Sequence, residues 1–186
     1  MAVREIVSIG HPVLREPAGA VPEGEITSDE IQALVDDLVE TMRAAGGAGL
    51  AAPQIAVPLR VFVVEVRDNP RYPYKPHLPL RVLVNPKVRP LSEETFEVVE
   101  GCLSIPALRG RLRRHAEVEL SYLDRTGERH VEQIRGLSSG TFQHEQDHLD
   151  GVLFVDRVED PRTLTSWESF AAFQAERDGV ALAAFD

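Results

Sequence analysis

The segment His144-Glu145-Gln146-Asp147-His148 contains three side chains that together can carry out metal chemistry. Residues four apart lie on the same face of an α-helix, so His144 and His148 can hold one metal ion between them. Glu145 follows the first histidine directly, and its carboxylate can act on a water molecule that the metal activates. We therefore expect a helix that supplies two metal ligands and a proton acceptor.

A catalytic metal site of this kind needs a third protein ligand and an open fourth position. Cys102, in Glu100-Gly101-Cys102-Leu103-Ser104, is the only cysteine in the chain and the candidate for that role. Each feature alone has an ordinary explanation. A His-Glu-x-x-His pentad arises by chance in roughly one chain in a few hundred of this length, and a single cysteine is more often an inert buried residue. Their joint occurrence favours a metal-dependent hydrolase.

Length and composition indicate one globular domain that spans residues 1–186. The chain is 43% hydrophobic and 27% charged, which is ordinary for a soluble protein, and it contains no internal repeat. Its start lacks the apolar run of a signal peptide, and no stretch approaches the roughly 18 apolar residues that span a bilayer. One cysteine cannot form an internal disulfide. We therefore expect a cytoplasmic protein with no membrane partner.

The net charge of −10, from 30 acidic and 20 basic residues, argues against a specific nucleic-acid partner. The segment from Arg109 to Arg114 is the local exception, with four arginines in six residues. It could contact an anionic partner, but we favour a strand whose arginines pair with nearby carboxylates.

Three helices are expected around the candidate site. Thr27 and Glu30 form a capping-box pattern before a helix that ends at Gly46-Gly47. Its apolar face is predicted at Ile31, Leu34, Val35, Leu38, Val39 and Met42. The motif helix should begin near Ser138 or Ser139 and end before Gly151. A C-terminal helix should begin at Asp160-Pro161 and dock through Leu164, Trp167, Phe170, Ala171 and Phe173.

The remaining patterns predict strands. These cover residues 60–66, 81–84, 95–100, 111–124 and 129–135, with Asn85-Pro86 stopping the second and a hairpin turn at Asp124-Arg125-Thr126-Gly127. Residues 68–79, rich in proline, should form a surface loop. The expected fold is α+β, with antiparallel or mixed strands around a central metal-binding helix and flanking N- and C-terminal helices.

Three segments resemble the signature motifs of the peptide deformylases, enzymes that remove the N-formyl group from nascent bacterial proteins. They are Gly47 to Gln54, Glu100 to Ser104 and Gln143 to His148. His11-Pro12-Val13-Leu14-Arg15 and the continuation Leu149 to Phe154 are also similar, so that the resemblance extends from about residue 4 to about residue 158.

The resemblance implies a role for each matching residue. Cys102, His144 and His148 would bind one divalent metal ion, natively Fe²⁺, which Zn²⁺, Ni²⁺ or Co²⁺ can replace in purified protein. Glu145 would be the general base and then the general acid, while Gln54 and the backbone N–H of Leu103 would stabilise the oxyanion. The substrate-binding residues would be Gly47, Ala48, Gly49, Val98, Glu100, Arg109 and Leu137.

The resemblance also implies the biological setting. The substrates would be formyl-Met nascent peptides in the bacterial cytoplasm, with a transient ribosome contact. Ser166 to Asp186 has one basic residue, Arg177, so we expect this tail to pack onto the domain or a second copy rather than bind RNA. The chain departs from the family pattern at Ala48, where a bulkier aliphatic residue is common, and at Ser139-Gly140, where many members have Ala-Arg. These departures bear on the shape of the substrate pocket.

Two other functions fit parts of the sequence. A zinc peptidase also has His-Glu-x-x-His on a helix, with a third ligand downstream; the candidates are Asp150, Asp156 and Glu159, but this leaves the Cys102 segment unexplained. A ribosome-associated or metal-storage protein without turnover would be expected to lack Glu145 or Gln54, and both are present.

Overall fold

Two antiparallel sheets dominate the computed structural model, which describes residues 2–67 and 75–173. Five strands form the larger sheet in the order β1-β2-β3-β6-β7, and three form the smaller in the order β4-β5-β8. The strands are β1 Gly49–Ala51, β2 Val61–Val66, β3 Leu78–Pro90, β4 Thr95–Cys102, β5 Ile105–His115, β6 Glu117–Leu123, β7 Arg129–Arg135 and β8 Thr165–Ser166.

Helix α2 packs against strands of both sheets, so that it is central as the sequence predicted. The α-helices are α1 Asp29–Ala44, α2 Gly136–Leu149 and α3 Trp167–Phe173. Short 3-10 turns lie at Pro12–Arg15, Glu23–Glu25, Ala52–Ile55, Phe154–Arg157 and Pro161–Thr163. The α+β architecture agrees with the expectation.

Strand β2 is buried on both faces. Val61 and Val63 point into the apolar cluster that contains α1, whereas Phe62 and Val64 join the cluster that contains Phe142 of α2. Side chains alternate between the faces of a strand, so one β-branched and aromatic run joins both helices to one sheet.

The predicted apolar face of α1 is confirmed, since all six of its residues are buried. The N-cap is Ser28 rather than Thr27: the Ser28 Oγ accepts a hydrogen bond from the backbone N–H of Ile31 at 3.4 Å. An N-cap hydroxyl bonds the second or third helical N–H, which explains the shift of one residue.

The sequence predicts that Asn85-Pro86 stops the second strand, and this is wrong: β3 continues through both residues. Asn85 takes a left-handed conformation, with φ 52°, where the pairing register with β6 shifts between Val84 and Lys87. Its side chain bonds the backbone N–H and C=O of Val21 at 2.9 and 2.7 Å. A proline is tolerated at such a bulge, so the strand runs on to Pro90.

The strand predicted over residues 111–124 is two strands in different sheets. The chain leaves β5 at His115 and enters β6 at Glu117, and the N–H of Ala116 donates to the C=O of Glu94 at 2.9 Å. The predicted hairpin after β6 is confirmed, with the Asp124 Oδ1 accepting from the N–H of Thr126 at 2.8 Å.

Two helix starts were predicted wrongly. Helix α2 begins at Gly136, and the Ser139 hydroxyl donates to the C=O of His115 at 2.6 Å instead of capping the helix. Asp160 caps only the 3-10 turn at 161–163, because the chain then extends into β8 to pair with β5, and α3 begins at Trp167. Phe170 is buried as expected. Residues 68–74 of the predicted loop, the side chains of Ala171 and Phe173 and residues 174–186 of the tail lie outside what the structure describes.

Candidate metal centre

Helix α2 and the end of β4 bring Cys102, His144 and His148 together. The ligand atoms of these three side chains all lie within 4.8 Å of one another, and the Cys102 Sγ is 3.3 Å from the His148 Nε2. Metal bonds of about 2.3 Å to sulfur and about 2.0 Å to nitrogen place tetrahedral ligand atoms roughly 3.5 Å apart. The donor set and its spacing therefore fit one divalent transition metal.

The Cys102 sulfur is a hydrogen-bond acceptor within this group. It accepts from the N–H of Ser104 at 3.3 Å and from the Gln54 Nε2 at 3.4 Å. Burial would raise the pKa of Cys102, but the charge of His148 and hydrogen bonds from both histidines outweigh burial and lower it to about 5. The thiolate, which is the form that binds metals, is thus favoured at neutral pH.

His144 is oriented by a carboxylate. Its Nδ1–H donates to the Glu100 Oε2 at 2.8 Å, which leaves Nε2 for a metal, as is usual for metal-binding histidines. Glu100 is itself held by Arg114, whose Nε and Nη2 donate to the two carboxylate oxygens at 2.7 and 2.8 Å. Burial would raise the pKa of Glu100, but the Arg114 charge holds it well below its usual value.

Arg114 also joins this group to the far side of α2. Its Nη1 donates to the Asp147 Oδ2 at 2.6 Å, and the Arg157 Nε donates to the same oxygen at 2.6 Å. Arg114 is 2% exposed. The favoured interpretation is confirmed for two arginines of the segment: Arg114 pairs inward, and Arg111 pairs with Glu97 at 2.9 Å. Arg113 instead donates to Thr95.

Glu145 faces the cleft from the same helix. It is 4% exposed, and its Oε2 has no hydrogen-bond partner among the described residues. Burial raises the pKa of Glu145, an effect that the charges of His144 and His148 oppose. A Cβ atom on Gly49 would overlap the Glu145 carboxylate, so this approach requires glycine.

Gln54 is oriented by the 3-10 turn after β1. The Gln54 Oε1 accepts from the N–H of Ala51 at 2.9 Å, which directs Nε2 towards Cys102 and the Ser104 Oγ, the latter at 3.2 Å. The amide therefore presents a donor beside the metal ligands.

An open cleft lies over these groups. Most of the residues expected at the site line it: Gly47, Ala48, Gly49, Gln54, Val98, Glu100, Cys102, Leu103, Leu137, His144 and Glu145. His148 lies deeper, with 1% of its surface exposed. Strand β1 is at the edge of its sheet, and an edge strand can pair with an extended peptide.

Arg109 lies outside the cleft lining. It is 2% exposed, and its guanidinium lies over the Trp167 ring at 4.4 Å from the ring centre. A Cβ atom on Gly101 would overlap this guanidinium. The structure thus places Arg109 behind the strand that carries Cys102.

Sequence reasoning missed several residues near the site, among them Lys75, Thr141 and Asp147. Lys75 and Thr141 line the cleft, and the Lys75 Nζ donates to the Thr141 Oγ1 at 2.9 Å. Lys75 lay in a proline-rich stretch that gave no reason to expect it there. Asp147 is the fourth residue of the motif, and its spacing from His144 was the available signal.

The ligands that a zinc peptidase would use do not approach the histidines. Asp150 pairs with Arg60 at 2.8 Å, and Asp156 pairs with Arg15. In the described part of the chain, neither of them, nor Glu159, joins the metal-ligating group of Cys102.

The described residues contain no helix that is both long and apolar enough to cross a bilayer.

Comparison with known proteins gives a consistent result. The family model described as polypeptide deformylase matches residues 3–163. Peptide deformylase 2 of Nostoc sp. is 45% identical over 154 residues, which are 83% of this chain and 85% of the relative. The peptide deformylase of Leptospira biflexa is 44% identical over 159 residues, 85% of this chain and 89% of the relative.

Solved structures with this fold include a class I type b peptide deformylase from Acinetobacter baumannii with Met-Ala-Ser bound. It superposes with a TM-score of 0.81 at 38% identity, covering 84% of this chain and 99% of that one. The peptide deformylase from Thermotoga maritima gives a TM-score of 0.76 at 31% identity, with coverages of 86% and 100%.

Proposed function

The chain belongs to the peptide deformylase family and hydrolyses the N-formyl group of formyl-methionyl nascent peptides, and we propose which of its residues carry out that reaction. The observation that carries the assignment is the convergence of Cys102, His144 and His148 beside the Glu145 carboxylate. Each proposed role follows from the position of that side chain.

Cys102, His144 and His148 are proposed to hold one divalent metal ion. We propose Fe²⁺ as the native ion because membership in the family implies it. A thiolate beside two imidazoles suits ferrous iron as well as zinc, and Zn²⁺, Ni²⁺ or Co²⁺ would replace iron in purified protein. When bound, the metal lowers the pKa of water and polarises the formyl carbonyl. The Arg114–Glu100–His144 chain of hydrogen bonds would keep the first imidazole in position.

Glu145 is proposed to move the proton. Its Oε2 takes a proton from the attacking water, and the carboxyl then returns it to the amine nitrogen of methionine as the bond to the formyl carbon breaks. The products are formate and the free N-terminus. Burial, which raises the pKa of Glu145, supports the proton-returning half of this role.

Gln54 and the backbone N–H of Leu103 are proposed to stabilise the oxyanion. Both residues line the cleft, and the Gln54 amide is already oriented by Ala51 and Ser104. Neutral donors held in place before the reaction can meet developing negative charge without reorganisation.

The substrate groove is proposed to lie along β1. Gly47, Ala48 and Gly49 would pair with the peptide backbone as an extra strand. The Acinetobacter protein with Met-Ala-Ser bound supports a short peptide as the ligand. Val98 and Leu137 would contact the methionine side chain. Glu100 would form the base of that pocket. Arg109 would contact the backbone of Gly101 outside the cleft.

The setting is also proposed. We place the enzyme in the cytoplasm of a bacterium, where it would meet nascent chains through a transient contact with the ribosome. The net charge of −10 supports a contact limited to the emerging peptide rather than extensive binding to RNA.

The decisive experiment compares formyl-Met, acetyl-Met and formyl-Ala peptides. A peptide that lies against both the Gly47–Gly49 segment and Leu103 would leave little room for the extra methyl of an acetyl group. We therefore expect at least roughly a hundredfold lower kcat/KM for acetyl-Met, or about 2.7 kcal/mol. Formyl-Ala should also react more slowly, because alanine lacks most of the methionine side chain and a hydrophobic pocket discriminates by about 1–3 kcal/mol per methylene. Equal values for formyl and acetyl peptides would indicate a general amidohydrolase.

Two variants test the roles within the site. Glu145→Gln should keep the metal but retain less than about a tenth of the rate, because only the proton carrier is lost. Cys102→Ser should instead lose metal, since a hydroxyl is a harder and less acidic ligand. Metal analysis after anaerobic purification separates the two and identifies the ion.

A further inference from the structure

A short C-terminal segment packs against the strand that follows the metal-binding cysteine. This segment, Thr165–Phe170, is called here the C-terminal strap, and it lies beyond residue 163, where the family match ends. Its strand β8 pairs with β5, with Ser166 opposite Leu108 and Thr165 opposite Arg109. The strap is thus joined to the hairpin that carries the site.

The strap encloses a buried cation. The Arg109 guanidinium carbon lies 4.4 Å from the centre of the Trp167 ring, and Arg109 is 2% exposed. The guanidinium also lies so close to Gly101 that a Cβ there would overlap it. Arg109 is therefore in contact with both an indole face and the backbone of Gly101. A cation over an indole is attracted by the ring, more strongly when water is excluded.

Trp167 is itself supported from inside the protein. Its ring stacks on Phe170 with centroids 6.0 Å apart, and Phe170 is 3% exposed. Packing on Phe170 therefore restricts the Trp167 ring, and the ring in turn limits where the Arg109 guanidinium can move.

Gly101 directly precedes Cys102 and Leu103, at the point where the pairing of β4 with β5 changes register. The backbone is least regular there, because the ladder of hydrogen bonds is interrupted at such a shift. The guanidinium lies against this interruption. Contact from outside the sheet can therefore limit movement of the two residues that follow.

We propose that Trp167 is a positioning residue: through Arg109 and Gly101 it holds the backbone of Cys102 and Leu103 in the geometry that the metal and the oxyanion require. The inference rests on the proposed function of those two residues. It gives the strap a role in the reaction although its own side chains do not line the cleft.

The test uses full-length protein loaded with Zn²⁺ and measures the rate of zinc loss to a chelator, with kcat and KM alongside. Trp167→Leu keeps apolar bulk but removes the aromatic face, whereas Trp167→Phe keeps a face. Outer supports of metal ligands typically change affinity 10–100-fold, so Trp167→Leu should speed zinc loss about tenfold and lower kcat more than it raises KM. Trp167→Phe should recover most of both, and Glu168→Ala, on an exposed position of the same helix, should match wild type.

Equal zinc-loss rates for Trp167→Leu and Trp167→Phe, or a wild-type rate for Trp167→Leu, would overturn the inference. Thermal unfolding of each variant shows whether faster zinc loss only reflects a less stable fold. Trp167→Phe and Trp167→Leu should lose stability to a similar extent. Cys102→Ser separates this from the proposed function. If that variant holds zinc like wild type, the ligand set is wrong; if it loses zinc while Trp167→Leu does not, only the role of Trp167 fails.

Discussion

The two walls of the cleft differ in composition: one consists of charged side chains and the other mostly of backbone. One, the charged wall, consists of Glu100 and His144 with Arg114 and Asp147 behind them, all joined by hydrogen bonds of 2.6 to 2.8 Å. The other, the glycine wall, is the segment Gly47–Gly49, which offers backbone and almost no side chain.

The difference separates two requirements of the reaction. A metal ligand must be held in one orientation, and buried ion pairs do this because leaving any member unpaired is costly. A peptide must slide in and out, which favours an edge strand with room beside it. The charged wall should therefore respond to substitution through stability and metal retention, and the glycine wall through turnover.

The largest expected effect comes from breaking the charged wall. Arg114→Met keeps the length of the side chain but leaves Glu100 buried without its cation, and removing one partner of a buried pair costs about 3–5 kcal/mol. Urea unfolding of the metal-free protein should show this loss. Arg113→Met is the matched control, because Arg113 is exposed and bonds only Thr95 in the pairs described; it should change stability by less than about 0.5 kcal/mol. Similar losses for both would mean that the network does not stabilise the wall.

The glycine wall should show the opposite behaviour. In Gly49→Ala the new Cβ would overlap the end of the Glu145 side chain, and a side-chain end can move aside without unfolding the protein. Misplacing a catalytic group by about 1 Å can cost roughly a hundredfold in rate, so kcat should fall by that order with little change in Tm.

Gly140→Ala provides the control for this substitution. Gly140 also lines the cleft, but a Cβ there meets the Phe96 ring at an ordinary 3.4 Å. Alanine in place of glycine inside a helix gains up to about 1 kcal/mol, so this variant should keep its kcat and unfold at the same or higher temperature. A large loss of Tm in Gly49→Ala would contradict the distinction between the walls.

The sequence predicted the two walls unequally. The spacing of His144, Glu145 and His148 on one helix follows from periodicity alone. The need for a third ligand pointed to Cys102, the only cysteine, and resemblance supplied the Gly47–Gln54 segment. The partners behind the ligands were not predictable, because Arg114 reaches Asp147 only after β5 and α2 pack together. Pairing between a strand and a helix depends on tertiary contacts that no local pattern contains.

The errors in the fold have the same origin. Nothing in the run from Arg111 to Asp124 marks Ala116 as the point where the chain changes sheets. Asn85-Pro86 interrupts a strand in most settings, and it continues β3 here only because Val21 supplies hydrogen bonds to the Asn85 side chain. The helix α1, whose burial is periodic, was predicted to within two residues.

The smallest expected effect tests an ion pair on the glycine side. Glu65, whose N–H donates to the C=O of Ala48 at 3.0 Å, accepts hydrogen bonds from Arg43 at 2.7 and 3.1 Å. Arg43 is 43% exposed, so solvent weakens the pair, and Glu65→Gln should cost only about 1 kcal/mol. Arg67→Gln is the control, because Arg67 is 62% exposed and pairs with the same carboxylate. This variant should leave the free energy of unfolding nearly unchanged.

The pKa of Glu65 predicts how the stability difference between wild type and Glu65→Gln changes with pH. The hydrogen bonds from Arg43 hold the pKa of Glu65 below its ordinary value. A depressed carboxyl pKa stabilises the fold above the unfolded value of about 4.3, and that contribution is lost as the pH falls through the lower folded value. The difference in unfolding free energy between wild type and Glu65→Gln should therefore be constant from about pH 7 to about pH 5 and shrink below about pH 4. Measured by urea unfolding across this range, a difference that instead grows on acidification would show that Arg43 does not stabilise the charged carboxylate, and the glycine wall would then rest on apolar packing and backbone pairing alone.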